Sequence, residues 1–343
     1  MKIGRNQICY CGSQKKYKNC CLKKEDKPKG IDIINEVSSL YKTSKFKKCF
    51  HPDQERCGNK IIKAHAIQNN KILSELSVEG KVIMTHYRPD RPFEYAHLYG
   101  RKQATTFSGF CNYHDQEVFK DIEIKDFNGE EKQLFLYAYR AFVSEYYKKM
   151  TDLKFSSNFS QSIDYIKSLE KGQQMAIYDF SEKKVEFNNA LKSKNYDCLI
   201  NEVWEFNKEI NFAACGYYAP TTDLEGNIIQ DLSKDKIVSH IYYNVFPDKD
   251  KSFILLSWLR SSGDILFDFK RQYSELNIKE KENYISNLVI NNTDNIVIKP
   301  SAWDKLREDQ KEVFGIFWIR MLLEHENELS SMIDQPGVNL FNL

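Results

Sequence analysis

The chain has 343 residues, 41% of them apolar, with 22 Phe and 20 Tyr: enough for real hydrophobic cores and too much for a disordered chain. Its 50 basic and 48 acidic side chains leave a net charge of +2, so no global charge directs it to nucleic acid or to a membrane. The charge is uneven, because residues 1–30 carry nine Lys or Arg against Glu25 and Asp26, a local excess of +7. Those residues lack the apolar core of a secretory signal. The best apolar run, Gly315 to Leu323, is short and broken by Arg320, so no membrane span is predicted. A cytoplasmic location is expected. In that setting nine clustered cysteines point to metal rather than to disulfides.

In chain order, a cysteine-rich head (1–24) is followed by Lys23 to Gly30, a charged linker with Pro28 and Gly30 as breakers. Ile33, Ile34, Val37 and Leu40 then predict a short helix, so 25–48 reads as linker and helix. Residues 49–150 form a Cys/His-rich segment closed by a helix over Gln133–Met150, whose aromatic stripe (Phe135, Tyr139, Phe142, Tyr146) belongs to a core. In 151–343 the pattern predicts a helix at 161–170, a strand at 211–219, and a hairpin of Ile237–Phe246 with Ser252–Leu259 about Pro247–Asp250. A second turn is expected at Asp223–Asn227, a helix at 279–290 and a strand at Asn295–Lys299. Ser301 with Asp304 is expected to open a long terminal helix. Such an order of elements is α+β.

In the head, Cys9, Cys11, Cys20 and Cys21 stand in the spacing Cys-x-Cys-x8-Cys-Cys, two close thiolate pairs joined by a loop. That arrangement suits tetrahedral zinc, and Gly12-Ser13 allows the chain to reverse after the first pair. With only Ile3, Ile8 and Leu22 as aliphatic residues, folding here requires the metal's binding energy. On Gly4, Arg5, Asn6, the four cysteines, Gly12, Ser13, Lys15, Lys16, Tyr17 and Lys18, residues 4–21 resemble the SEC-C motif, a small zinc module of bacterial proteins. A proline commonly separates its first cysteine pair, where this chain has Tyr10. In a bacterial translocation ATPase the module binds a chaperone and the ribosome. The resemblance therefore implies docking on a protein or ribonucleoprotein rather than catalysis.

The middle segment holds Cys49, His51, Cys57, His65, Cys111, His114 and Asp115. Cys111-x2-His114 has the spacing of a zinc half-site and Cys49-x7-Cys57 supplies a second half, with His51 able to replace either cysteine. A second zinc on Cys49, Cys57, Cys111 and His114 is expected. The alternative is ordinary buried thiols. The segment also resembles, more loosely, an HNH (treble-clef) nuclease. That likeness implies His65 as general base and Asp115, with Asp121 or Glu123, as holder of Mg or Mn for cleavage of nucleic acid, in the manner of anti-phage defence. Against it, Ala64 and Ala66 flank His65 where that family has a second His or an Asp, and 46 positions separate His65 from Cys111. The leading expectation is a non-catalytic zinc protein that docks through its head.

Residues 151–343 contain no glycine-rich phosphate loop and no nucleophile elbow. His240 is expected in a strand as a structural residue, Cys198 and Cys215 as buried thiols, and Trp204, Trp258, Trp303 and Trp318 in cores or interfaces.

Overall fold

The computed structural model describes residues 5–9, 13–21, 29–58, 60–85, 94–158, 164–233, 236–323 and 332–343. Cys11 and most of the linker (22–28) lie outside the described residues. Helix α1 (Lys29–Ser44) begins directly after Pro28. Gly30 therefore sits in its first turn, where backbone N–H groups have no helical partner in any case, and does not break the helix. α1 lies on the later helix α4 (Glu131–Ser156), with Tyr41 edge-on to Phe155 at 5.5 Å.

Two sheets follow. The small one pairs β1 (Ile61–His65) with β4 (Thr106–Cys111) antiparallel, Ile61 opposite Cys111 and His65 opposite Thr106, with a register break between Ile62 and Ala64. The chain between these strands carries a helical turn that includes α2 (Ser74–Leu76), then β2 (Lys81–Thr85) and β3 (His97–Gly100). Those two strands belong to the large sheet. Its remaining strands are β5 (Leu199–Phe206), β6 (Phe212–Tyr218), β7 (Ile241–Asp248), β8 (Lys251–Leu259) and β9 (Ile296–Ile298). The order is β3-β2-β9-β6-β7-β8-β5, antiparallel throughout.

The large sheet is a middle layer. Along β8, Phe253 and Leu255 face one core while Ile254, Leu256 and Trp258 face another, and β6 and β9 divide their side chains in the same way. Burial on both faces makes these strands almost continuously apolar. One face meets α4 and the 30-residue helix α5 (Asp164–Ser193); the other meets α7 (Ile278–Asn292), which follows the shorter α6 (Phe269–Glu275). The stripe on α4 is core: Phe142 stacks on Phe187 at 4.6 Å and meets Tyr242 edge-on at 6.0 Å. Pairing of β2 with β9 carries the sheet across the boundary expected at residue 150, which itself falls inside α4.

Several expectations change in detail. The helix expected to end at 170 is found over Asp164–Ser193, because Phe180, Phe187 and Ala190 keep a narrow apolar seam against α4, and 161–163 lie outside the described residues. Ser301 does not open a long helix. Pro300 starts the short α8 (Pro300–Trp303), Asp304 closes it, and α9 runs separately over Glu308–Leu323. A capping box is found instead at Asn277 and Glu280, ahead of α7. His240 precedes β7 rather than lying within it. Trp204, Trp258 and Trp303 are buried, as is Cys215, whereas Cys198 is half-buried. None of the described helices is long and apolar enough to cross a membrane.

Candidate metal centre

The β1–β4 hairpin runs directly into helix α3 (Asn112–Ile124), and this junction builds the main cluster. Cys111 ends β4 and caps α3, its sulfur accepting the backbone N–H of His114 at 3.4 Å. Having no partner within the helix, that N–H is free to meet the sulfur. One turn along, His114 turns back, placing Nδ1 3.3 Å from the sulfurs of both Cys111 and Cys49. Cys49 arrives on the strand-like stretch before β1, held by Phe50 N–H to the Gly109 carbonyl at 2.9 Å. The turn at 54–57 delivers Cys57, and Gly58 N–H donates to the Cys111 sulfur at 3.4 Å.

Cys49, Cys57, Cys111 and His114 thus bring one donor atom each to within 4.8 Å of all the others. Thiolates on tetrahedral zinc at ~2.3 Å stand about 3.8 Å apart, so sub-ångström adjustments would close the cluster on an ion. Electrostatics divide the thiols. Burial pushes Cys49 up to about 12. Burial also opposes ionisation of Cys111, but the N–H groups of His114 and Gly58 and the neighbouring thiols outweigh it, holding Cys111 below its ordinary value. Three sulfurs and one imidazole form a soft-to-borderline donor set that could hold a metal ion. His51 is not a member. It stacks on His114 at 3.9 Å and accepts the Asp53 N–H, because its position two residues after Cys49 puts it over the imidazole rather than beside the sulfurs.

A second cluster lies in the head. Cys9 N–H bonds the Lys15 carbonyl at 2.8 Å and Ile8 bridges Lys16, a hairpin just large enough to carry Cys9 back over the 3-10 turn Tyr17–Asn19. Cys20 and Cys21 follow that turn, and the donor atoms of Cys9, Cys20 and Cys21 lie within 4.8 Å of one another. Ser13 Oγ sits 3.1 Å from the Cys20 sulfur. Lys15, Lys16 and Lys18 are exposed around this knot. A third acidic group, Asp223, Glu225 and Asp268, is occupied differently: Arg271 bonds Glu225 at 2.7 Å and Asp268 at 2.8 Å, and Asp223 is spent on its own turn through Glu225 and Asn227 N–H.

The nuclease-type residues meet in a cleft of about 500 Å³ beside the first cluster, lined among others by His65, Asn69, Asp115, Glu123 and Arg140. His65 Nδ1 lies 3.1 Å from the Ala104 carbonyl, so the proton sits on Nδ1 and Nε2 keeps its lone pair. Burial, with Arg140 adding to it, lowers His65 to about 4 and keeps it neutral. Burial raises Asp115. Glu123 accepts from Arg140 Nη2 at 2.7 Å, and the guanidinium lies 4.2 Å over the Phe119 ring. Asp121 takes no part. It pairs with Lys125 at 3.0 Å and with Lys132 and does not line the cleft. Arg140 is the residue that sequence reading missed; its signal is a single charge within the apolar run Leu134–Val143.

No curated protein and no solved structure matches the chain. Residues 5–23, which contain the head cluster, match the family model of the SEC-C motif.

Proposed function

We propose that the protein binds two zinc ions and acts as a docking protein, the head carrying one ion on Cys9, Cys11, Cys20 and Cys21 and the middle segment the other on Cys49, Cys57, Cys111 and His114. The observation that carries this reading is the cluster in the middle segment: four donors from two separated stretches of chain, 49–57 and 111–114, converge within 4.8 Å at a strand–helix junction. On this reading the knuckle, hairpin and helix start together make a treble-clef-like unit stabilised by zinc. The head's exposed Lys15, Lys16 and Lys18, with Lys23 and Lys24 in sequence, suit an acidic protein or a ribonucleoprotein. Elemental analysis of the purified protein should give two zinc per chain. One or none after gentle purification would refute the two-centre reading.

A second reading rests on the shared cleft of His65 and Asp115. A neutral His65 with a free Nε2 lone pair is in the protonation state of a general base, able to take a proton from water. Asp115, one residue beyond His114, would hold a divalent cation that supplies charge at a phosphodiester oxygen. Two features oppose it: Ala64 and Ala66 offer no second ligand beside His65, and Glu123 is already committed to Arg140. Incubation with single- and double-stranded DNA and with RNA in Mg²⁺ or Mn²⁺ decides. Cleavage by the wild type that His65→Ala and Asp115→Asn both abolish, at unchanged zinc content, would displace the docking reading.

A further inference from the structure

We propose that the cavity between α4, α5, β6 and the segment leading into β7 is a binding site for a small aromatic anion, a flat ring system carrying one carboxylate or sulfonate. The cavity encloses about 600 Å³, separate from both cysteine clusters and from the His65 cleft. That size falls within the range of small-molecule sites, ~300–1,000 Å³.

Charge selects the sign of the ligand. Lys149, on α4, holds its ammonium 4.9 Å from the Tyr217 ring centre and 5.4 Å from that of Phe180, and among the described residues no carboxylate reaches it as a salt bridge. Lys236 stands at the mouth. Asp179 is the one acid in the lining. Lys149 and Lys236 thus outnumber Asp179 around a largely apolar space, a balance that favours an anion over a cation.

Geometry selects the body. The lining offers the rings of Tyr178, Tyr217 and His240 and the side chains of Met175, Ile237 and Val238. Tyr178, Ile237 and Leu232 border the cavity yet are 60%, 46% and 45% exposed, so three large apolar side chains are left in solvent at one opening. His240 is buried beneath them with Nδ1 lacking any hydrogen-bond partner. An aromatic anion answers both points, with its ring between Tyr217 and the apolar wall and its acid group toward Lys149.

The test compares 2-naphthoate with its uncharged isostere 2-naphthamide, by titration calorimetry on the full zinc-loaded chain. Naphthoate should bind at one site, about tenfold more tightly than the amide, the effect of one charge-assisted contact. Lys149→Met should remove that difference, and Tyr178→Ser, a surface change, should weaken both probes alike. No naphthoate binding up to about 1 mM, or equal affinity for the two probes, overturns the proposal. So does a well-folded Lys149→Met that binds naphthoate as the wild type does. Should Lys149→Met fail to fold, the comparison of isosteres on the wild type still decides.

Discussion

Replacing Cys111 with serine separates the metal from everything else this residue does. Cys111 is fully buried, ends β4, and caps α3 through the His114 N–H. Serine is at least as good a cap, so the start of α3 keeps its hydrogen bond and the substitution costs nothing there. What is lost is one ligand of four. Structural zinc sites contribute ~10–16 kcal/mol in small zinc peptides, so one ligand's share is about 3 kcal/mol. A buried hydroxyl facing the remaining thiols adds ~1 kcal/mol more. Cys215→Ala is the control: an equally buried thiol on β6, remote from any other cysteine donor, whose removal leaves a small void worth ~1 kcal/mol. Urea denaturation of the three proteins, with zinc measured on the same samples, reads both quantities. Cys111→Ser should hold its zinc on three ligands only, giving it up to a mild chelator that the wild type resists, and should lose about 4 kcal/mol, several times the control. Equal zinc content in variant and wild type after the chelator, with a loss no larger than that of Cys215→Ala, would mean that this cluster is four packed side chains and no metal site.

The other predictions divide among the head, the partner and the core. Cys20→Ser should release the head's zinc while the urea transition of the large sheet stays in place; a shift of that transition would show the head to be integral to the fold. A partner held by Lys15, Lys16 and Lys18 should be recovered from lysate by zinc-loaded residues 1–30 and lost steeply between about 0.1 and 0.5 M salt. Equal recovery at both salts, or with and without zinc, would leave those lysines as a solvated charge run. Glu145, on α4, offers a test by pH: burial, with Asp294 and Asp152 adding to it against Lys148 and Lys149, raises it to about 7. A raised carboxyl is protonated in the fold and ionised in the unfolded chain. Its contribution is therefore complete below the unfolded value of ~4.5 and is lost as pH rises through about 7. Glu145→Gln should leave stability at about pH 4 unchanged and raise it at about pH 8; an equal change at both would contradict the shift.

Legibility in the sequence follows the range of the interaction that positions each residue. Cys111 and His114 can be read because one helical turn fixes their separation, and Cys49 and Cys57 because a single loop joins them. Their meeting could be expected from zinc chemistry but not from periodicity, since β1 pairs with β4 across residues 66–105, which contribute their own strands to another sheet. The same range limit hides the seam of the large sheet. β9 is three residues long, yet it joins β2 to β6 and so ties the segment after His65 to the hairpin of β7 and β8. Helix α5 escaped past residue 170 because its seam is narrow: Phe180, Phe187 and Ala190 stand in a run otherwise dominated by Lys, Glu and Asn. The cleft shows the limit most plainly. His65 and Asp115 are candidates through the likeness to HNH nucleases, but whether they can act depends on Arg140, a residue of α4 that neither motif contains. By holding Glu123 at 2.7 Å and helping to keep His65 neutral, Arg140 removes one acid from any cation site while leaving the base in its active protonation state. The two consequences oppose each other, so Arg140→Gln is where the docking and nuclease readings part. Freeing Glu123 to join Asp115 should strengthen Mn²⁺ binding if the cleft is built for a cation, and should change nothing but local packing if it is not.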